Sequence, residues 1–310
     1  MSNQPRLSIL MPFLNAGATI EDALKGLLAQ RWSSAWEIVA ADNGSTDASV
    51  EIVRSYEGRL PLRCISAAAR KGASYALNRA AEAAFGRSVV VYDADDVAAD
   101  GWLSSIGDAL EEHEWVASRH DPWALNPSGF SAIKRGESQN EGLQTTWYPP
   151  YIEHAGGCGM GVRRSLLLRV GGYAEGLQNL YDTELCFRLT AAGARLTYVR
   201  DAVMCVRYRT EAESLFRQAA GWARANTWLY RRYRPDHARL VGAWSAHVHR
   251  WRRLLQMTTV PGDAWSRLDL MWCLGWQWGL LRGALENHVE PVMHGCCAKL
   301  PDGGTISPPR

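Results

Sequence analysis

Asp93 and Asp95 stand one residue apart in the run Tyr92-Asp93-Ala94-Asp95-Asp96, directly after the apolar stretch Ser88-Val89-Val90-Val91. Two carboxylates in so short a turn can share a hard divalent cation and a ribose. The cation keeps open positions for substrate phosphate oxygens. An isolated Asp-x-Asp is a common solvated turn. Here two neighbours set it apart: a strand apolar enough to be buried on both faces, and a second acidic run upstream, Asp42-Asn43-Gly44-Ser45-Thr46-Asp47.

The elements that must carry these runs follow from periodicity. Leu7-Ser8-Ile9-Leu10 reads as a short strand closed by Pro12. Ile20, Leu24, Leu27 and Leu28 line one face of a helix, and Thr19 with Asp22 resembles a capping box at its start. Glu37–Ala41 is a second strand, followed by a helix that carries Val50 and Val53. Leu62–Ser66 is a third strand, ahead of a helix from about Ala73 to Phe85, and Ser88–Tyr92 is the fourth. Strands alternating with helices imply βαβ units and a largely parallel sheet. Ligands bind such sheets at the carboxyl ends of the strands. Both acidic runs lie there, on one rim.

Composition bounds the rest. The chain has 310 residues, 47% apolar and 21% charged, which suits a folded α/β protein and excludes a disordered or collagenous one. The net charge of +2 conceals an asymmetry: residues 195–254 hold 13 arginines, no lysine and four acids. Such an excess suits a phosphate-bearing partner or an anionic membrane surface, or else an arginine-studded helical face. Seven cysteines, an odd number spread through the chain, do not read as a disulfide framework, and Cys296 and Cys297 with His294 lack the further ligands a zinc site needs. The N-terminus lacks a signal-peptide pattern and no apolar run is long enough to span a bilayer, so a cytoplasmic location is expected. From about residue 119 to 157 the pattern dissolves into a loop carrying Trp123, Phe130, Trp147, Tyr148 and Tyr151. Aromatic faces there suit sugar rings or acceptor docking, or packing over the core. Asp182–Ala192 reads as a helix, Arg195–Val199 as a strand and Glu211–Tyr233 as a long basic helix. A Trp-rich helical segment follows to about His288.

Taken in order, the runs around Pro12-Phe13-Leu14-Asn15, Asp42–Asp47, Lys71-Gly72 with Asn78, Tyr92–Asp96, Gly171-Gly172-Tyr173 and Asp182-Thr183-Glu184-Leu185 with Arg188 resemble the family 2 glycosyltransferases. The likeness runs from about Leu7 to Arg209. It implies the GT-A fold, a Rossmann-like and mostly parallel α/β sheet flanked by helices. Residues 1–97 would be its nucleotide-sugar half and 98–210 its acceptor half, with a basic helical extension over 211–310. It implies transfer of a sugar, with inversion, from a nucleotide sugar such as a UDP-sugar to an acceptor hydroxyl. Pro12, Phe13, Asn15 and Asp42 would hold base and ribose, Lys71 and Gly72 would approach the nucleotide, and Asp93 with Ala94 would meet ribose or sugar. Asp95 would ligate Mn²⁺ or Mg²⁺, and Asp182 would be the general base. These roles agree with chemical need. The departing diphosphate requires its charge neutralised, and an acceptor hydroxyl requires a carboxylate to take its proton.

The chain departs from that pattern in three places. Tyr181 precedes Asp182 where the family often has Glu, which leaves Glu184 as a rival base. Glu175 rather than Asp follows Gly171-Gly172. No His follows the late strand, so either Arg207 or His237 would face the diphosphate. No nucleic-acid partner is expected. The acceptor stays open among glycan, lipid-linked sugar, peptide and metabolite. The C-terminal helices suit peripheral membrane contact, a homodimer seam or internal packing. A catalytically silent nucleotide-sugar-binding module is the alternative. A sugar nucleotidyltransferase comes third, because its Gly- and Arg-rich loop is missing after the first strand.

Overall fold

The computed structural model describes residues 4–127, 139–236, 238–257 and 264–292. Phe130, His237, His294 and the Cys296–Cys297 pair lie outside the described residues, as does the side chain of Trp265. The chain forms two compact units. One spans Met1–Asn126, Gly136–Gln144 and Glu153–Arg207; the other spans Pro127–Arg135, Thr145–Ile152 and Tyr208–Arg310.

The first unit follows the alternation of its sequence. β1 (Leu7–Phe13), α1 (Ile20–Ala29), β2 (Trp36–Asp42), α2 (Ser49–Ser55), β3 (Leu62–Ser66), α3 (Ala73–Ala83) and β4 (Ser88–Val91) come first. Then follow β5 (Val97–Ala98), α4 (Trp102–Glu112), β6 (Trp115–Asp121) and the short strands β7 (Gln144–Thr145) and β8 (Glu153–His154). β9 (Met160–Arg163), α5 (Arg164–Arg169), α6 (Tyr181–Ala191) and β10 (Thr197–Cys205) complete it. Eight strands form one sheet in the order β3-β2-β1-β4-β9-β6-β10-β5. β3, β2, β1 and β4 run parallel. β9 is antiparallel to both β4 and β6, which sets it as a wedge in the middle of the sheet. β4 is buried along its whole length, as its unbroken Val run requires.

Two local expectations are corrected. β1 does not close at Pro12 but continues to Phe13, with Pro12 in register with Ala41 of β2. β4 has already ended at Val91, opposite Leu10, so the missing Pro12 N–H deprives no ladder partner on that side. Thr19 is not a capping-box residue: its hydroxyl makes no cap bond and instead donates to the Ala94 carbonyl at 3.1 Å. The start of α1 is thereby tied to the acidic turn.

The second unit is helical: α7 (Ala212–Tyr233), α8 (Ala243–Met257) and α9 (Ala264–Asn287). Gly275, Gly279 and Gly283 of α9 form a stripe at four-residue spacing against the α7 backbone around Phe216, Ala220 and Arg224. Trp272 and Trp276 are buried among aromatic neighbours, Trp272 edge-on to Trp222 at 5.6 Å and Trp276 tilted against Trp147 at 6.0 Å. Internal packing is therefore what these two tryptophans do. Among the described residues no helix is long and apolar enough to cross a membrane. A side chain on Gly279 would overlap the Ala220 carbonyl, a backbone atom that cannot step aside. Gly279→Ala is expected to destabilise the protein by about 3 kcal/mol in chemical denaturation. A change below about 0.5 kcal/mol would show that the two helices are not so closely apposed.

Candidate active site

The site is built where β4 ends. Tyr92 is fully buried and packs edge-on to Trp102 at 5.4 Å; its hydroxyl accepts the Ala98 N–H at 2.8 Å. Held at that end, the chain turns through Asp93, Ala94, Asp95 and Asp96. Asp93 is partly exposed, Asp95 is exposed and Asp96 is buried. Burial raises the Asp93 carboxyl well above the usual carboxylate range, and the Asp96, Asp95 and Asp182 charges add to the effect. Burial, with Asp95 next, raises Asp96 to about 7. The Arg207 backbone N–H, donated to Asp96 at 2.8 Å, works the other way.

Asp182 comes from the first turn of α6. Leu180, directly before the helix, sits in the left-handed region at φ 55° and turns the chain into it. One Asp182 oxygen accepts the Gly157 N–H at 2.8 Å and the other its neighbour Thr183 N–H at 2.7 Å. Burial nevertheless raises its pKa. Glu184 behaves differently. It is buried and binds Arg188 through both oxygens, at 2.5 to 3.0 Å, while Arg188 also donates to the Val170 carbonyl at 2.7 Å. Its carboxylate is committed to holding α6 to the preceding turn.

β9 delivers the other side of the site. The Gly159 N–H donates to Val91 O at 2.9 Å, and Gly159 O accepts from Ser118 N–H at 3.0 Å. With φ at 72°, and with Ser118 where a side chain would go, only glycine fits this crossing. Gly157 and Cys158 are thereby brought to the acidic turn, where the Cys158 thiol lies beside the Asp93 and Asp96 carboxylates. Among the described residues, ligand atoms of Asp93, Asp96 and Cys158 lie within 4.8 Å of one another, a group that could hold a metal ion. Burial and the two carboxylates push the Cys158 thiol up, so it stays protonated. The donors on offer are therefore carboxylate oxygens, which suit Mg²⁺ or Mn²⁺ better than a thiophilic ion.

The second rim cluster is a laced turn. Asp42 accepts the Gly44 and Ser45 N–H groups at 3.1 and 2.8 Å. Asn15, at φ 51°, accepts the Thr46 N–H on its side-chain oxygen at 2.8 Å and donates its own backbone N–H to the Ser45 hydroxyl at 3.0 Å. Pro12 and Phe13 lie beside Ala41 and Asp42 in the β1–β2 register. Asn43, which sequence reasoning passed over, is buried and donates to the Ala67 and Arg70 carbonyls at 2.7 Å each. It also accepts the Gly72 N–H at 2.8 Å, and Lys71 Nζ lies 3.2 Å from its carbonyl. Lys71 and Gly72 are thus brought to the Asp42 turn. Arg207 follows β10 and reaches back to the acidic turn, with Nε 3.0 Å from Asp95 O and a guanidinium nitrogen 3.3 Å from Asp22. Asn78 joins the set indirectly, holding the Tyr173 backbone at both N–H and C=O. Asp96 and Cys158 had no assigned role, and Asp22 was assigned only as the capping-box partner of Thr19. Asp96 stood next to the motif, whereas Cys158 carried no signal because its place depends on the antiparallel β9.

The sequence model of Glycosyl transferase family 2 matches residues 8–171, over half of the chain. The "Uncharacterized glycosyltransferase YibD" of Escherichia coli is 35% identical over 148 residues, 47% of this chain and 43% of that protein. The chain therefore spans less than half the length of that relative. The "Succinoglycan biosynthesis protein ExoA" of Rhizobium meliloti is 28% identical over 86% of this chain and 83% of its own. Among solved structures, a mannosyltransferase from Pyrobaculum calidifontis in complex with GDP-Man and Mn²⁺ superposes with a TM-score of 0.61 at 20% identity, over 92% of this chain and 87% of that one. S. aureus TarS 1-349 in complex with UDP gives 0.51 at 16% identity, over 91% and 92%. These likenesses show the GT-A fold. With a family match that takes in both acidic rims and the β9 wedge, the chain belongs to glycosyl transferase family 2.

Proposed function

We propose that the chain transfers a sugar from a nucleotide sugar, a UDP-sugar in the first instance, to an acceptor hydroxyl with inversion at the anomeric carbon. The observation that carries this reading is the meeting of Asp182 with the Asp93–Asp96 turn at the carboxyl end of β4, each side with raised carboxyl pKa values. A binding module has no need to crowd like charges at such expense. The laced turns at Asn15, Asp42 and Lys71-Gly72 give the base and ribose a preorganised rim. The donor class is supported by TarS and the Pyrobaculum enzyme, whose structures hold UDP and GDP-Man.

Asp182 takes the acceptor proton as the new C–O bond forms in line with the departing nucleoside diphosphate, whose anomeric C–O bond breaks with its electron pair. The Gly157 and Thr183 N–H groups fix the carboxylate's orientation, and its raised pKa brings its basicity closer to neutral pH. Asp95, with Asp93 and Asp96 behind it, would hold Mg²⁺ or Mn²⁺, which supplies neutralising charge to the diphosphate when bound. Arg207 adds a fixed positive charge beside that turn. The donor set fits the ion: crowded oxygens whose mutual repulsion a dication relieves.

Asp182→Asn is expected to lower turnover by roughly 10²–10⁴-fold with donor binding nearly intact. In the parent, kcat/KM should rise with pH through a value above the ordinary aspartate pKa of about 3.9, because the protonated acid cannot accept the hydroxyl proton. That limb should vanish from the residual activity of Asp182→Asn. Glu184→Gln should act on stability, by roughly 1–3 kcal/mol, since Arg188 loses its charged partner. If Glu184→Gln instead abolishes turnover in a protein of unchanged stability, the base assignment is wrong.

Chelation should abolish transfer, with recovery on adding Mn²⁺ or Mg²⁺, and Asp95→Ala should weaken nucleoside diphosphate binding. Full activity in excess EDTA would sink the metal assignment. Tight donor binding with no turnover on any hydroxyl acceptor, or on water, would favour the silent module.

A further inference from the structure

In the second unit, α8 turns Ala243, His247 and Leu254 inward. An adjoining face carries Trp244, Val248 and Leu255, which are 43%, 47% and 60% exposed. Positions 244, 248, 252 and 255 recur at helical spacing, so these three apolar side chains and the exposed Arg252 form a single stripe. His249 flanks it, and Val241, which enters the helix, is almost wholly exposed. Leu285 of α9, also exposed, shares with Trp244 a shallow hollow of about 440 Å³ rimmed by Arg234, Arg239 and His288. A second hollow of about 660 Å³ runs along Trp244, Val248, His249 and Arg252. Trp244 is braced rather than loose, edge-on to the buried His247 at 6.2 Å.

The charge around this patch is predominantly positive. Residues 231–257 hold seven arginines against a single acid, Asp236. Glu290, at the edge of the smaller hollow, lies 3.4 Å from Arg234. A helix with an outward apolar stripe and cations along its flank is the pattern of an interfacial helix. Tryptophan prefers the headgroup level, and arginine stems can lie along apolar surface while their heads reach phosphate.

We propose that α8 is a peripheral membrane-docking surface for anionic bilayers. Trp244, Val248 and Leu255 enter the boundary between headgroups and acyl chains, while Arg239 and Arg252 pair with lipid phosphates. This surface belongs to the helical unit by itself and does not rest on the catalytic reading.

Co-sedimentation of the full chain with vesicles tests it, comparing phosphatidylglycerol–phosphatidylcholine mixtures with pure phosphatidylcholine. Binding to the anionic vesicles alone is expected, weakening as salt rises toward about 0.5 M. Arg252→Gln should weaken partitioning by about fivefold. The double variant Trp244→Ser, Val248→Ser should weaken it more than about tenfold. Should that variant fail to fold, Leu285→Ser removes exposed apolar surface at the same patch and should likewise reduce binding. Absence of binding at low salt, equal binding to neutral vesicles, or binding indifferent to these variants would overturn the proposal. So would a dimer in light scattering that Trp244→Ser dissolves, since the stripe would then be a subunit seam.

Discussion

Burial of carboxylates at the end of β4, sharpened by their repulsion of one another, is the constraint around which the first unit is organised. Asp93, Asp95, Asp96 and Asp182 are brought to one rim, three of them in surroundings that raise their pKa. In a region of reduced dielectric such charges repel strongly and each loses hydration. The fold answers with donors from three elements. Arg207 supplies a backbone N–H after β10, Gly157 supplies another from the β9 loop, and Thr183 a third from α6. None of these neutralises the cluster. They hold its geometry while leaving negative charge for a cation and a proton to satisfy.

The parallel half of this arrangement was legible in the sequence. Apolar runs of four or five residues, each ending in an acidic or turn-forming run, identify β2 and β4 and place Asp42 and Asp93 on the same rim. What escaped was non-local or internal to a turn. β6 and β9 lie in a stretch whose alternation is weak, and the wedge position of β9 depends on pairing with β4 some seventy residues away. Cys158 therefore carries no signal of its own in the sequence. Asn43 was visible as part of a polar run, but its work, joining the Ala67–Gly72 segment to the Asp42 turn, is visible only in space. Thr19 shows the reverse error. Its spacing to Asp22 matches a local cap, yet its hydroxyl has a better use at Ala94, and Asp22 pairs with Arg207.

Composition alone could not separate the roles of the C-terminal tryptophans and arginines. Trp272 and Trp276 fill the helical interior, whereas Trp244 and Trp278 keep much of their surface in water. Arg224 joins Glu286 and Arg234 approaches Glu290, while Arg252 lies on the exposed stripe. The discriminating signal is the phase of each residue on its own helix. α9 blurs even that, with apolar residues nearly all round and three glycines spent on close approach to α7.

The order in which the chain visits its two units has its own consequence. The segment Thr145–Ile152 belongs to the helical unit although first-unit sequence flanks it on both sides. Its Tyr148 is fully buried, bonded to Asn226 at 2.9 Å and edge-on to Tyr230 at 5.8 Å. Tyr148 leaves the ribosome some eighty residues before those partners exist. During synthesis the first unit can assemble early only by carrying an unpaired aromatic strap, and a gene truncated after Arg207 would leave that strap exposed permanently. No single cut in the chain therefore separates the two units.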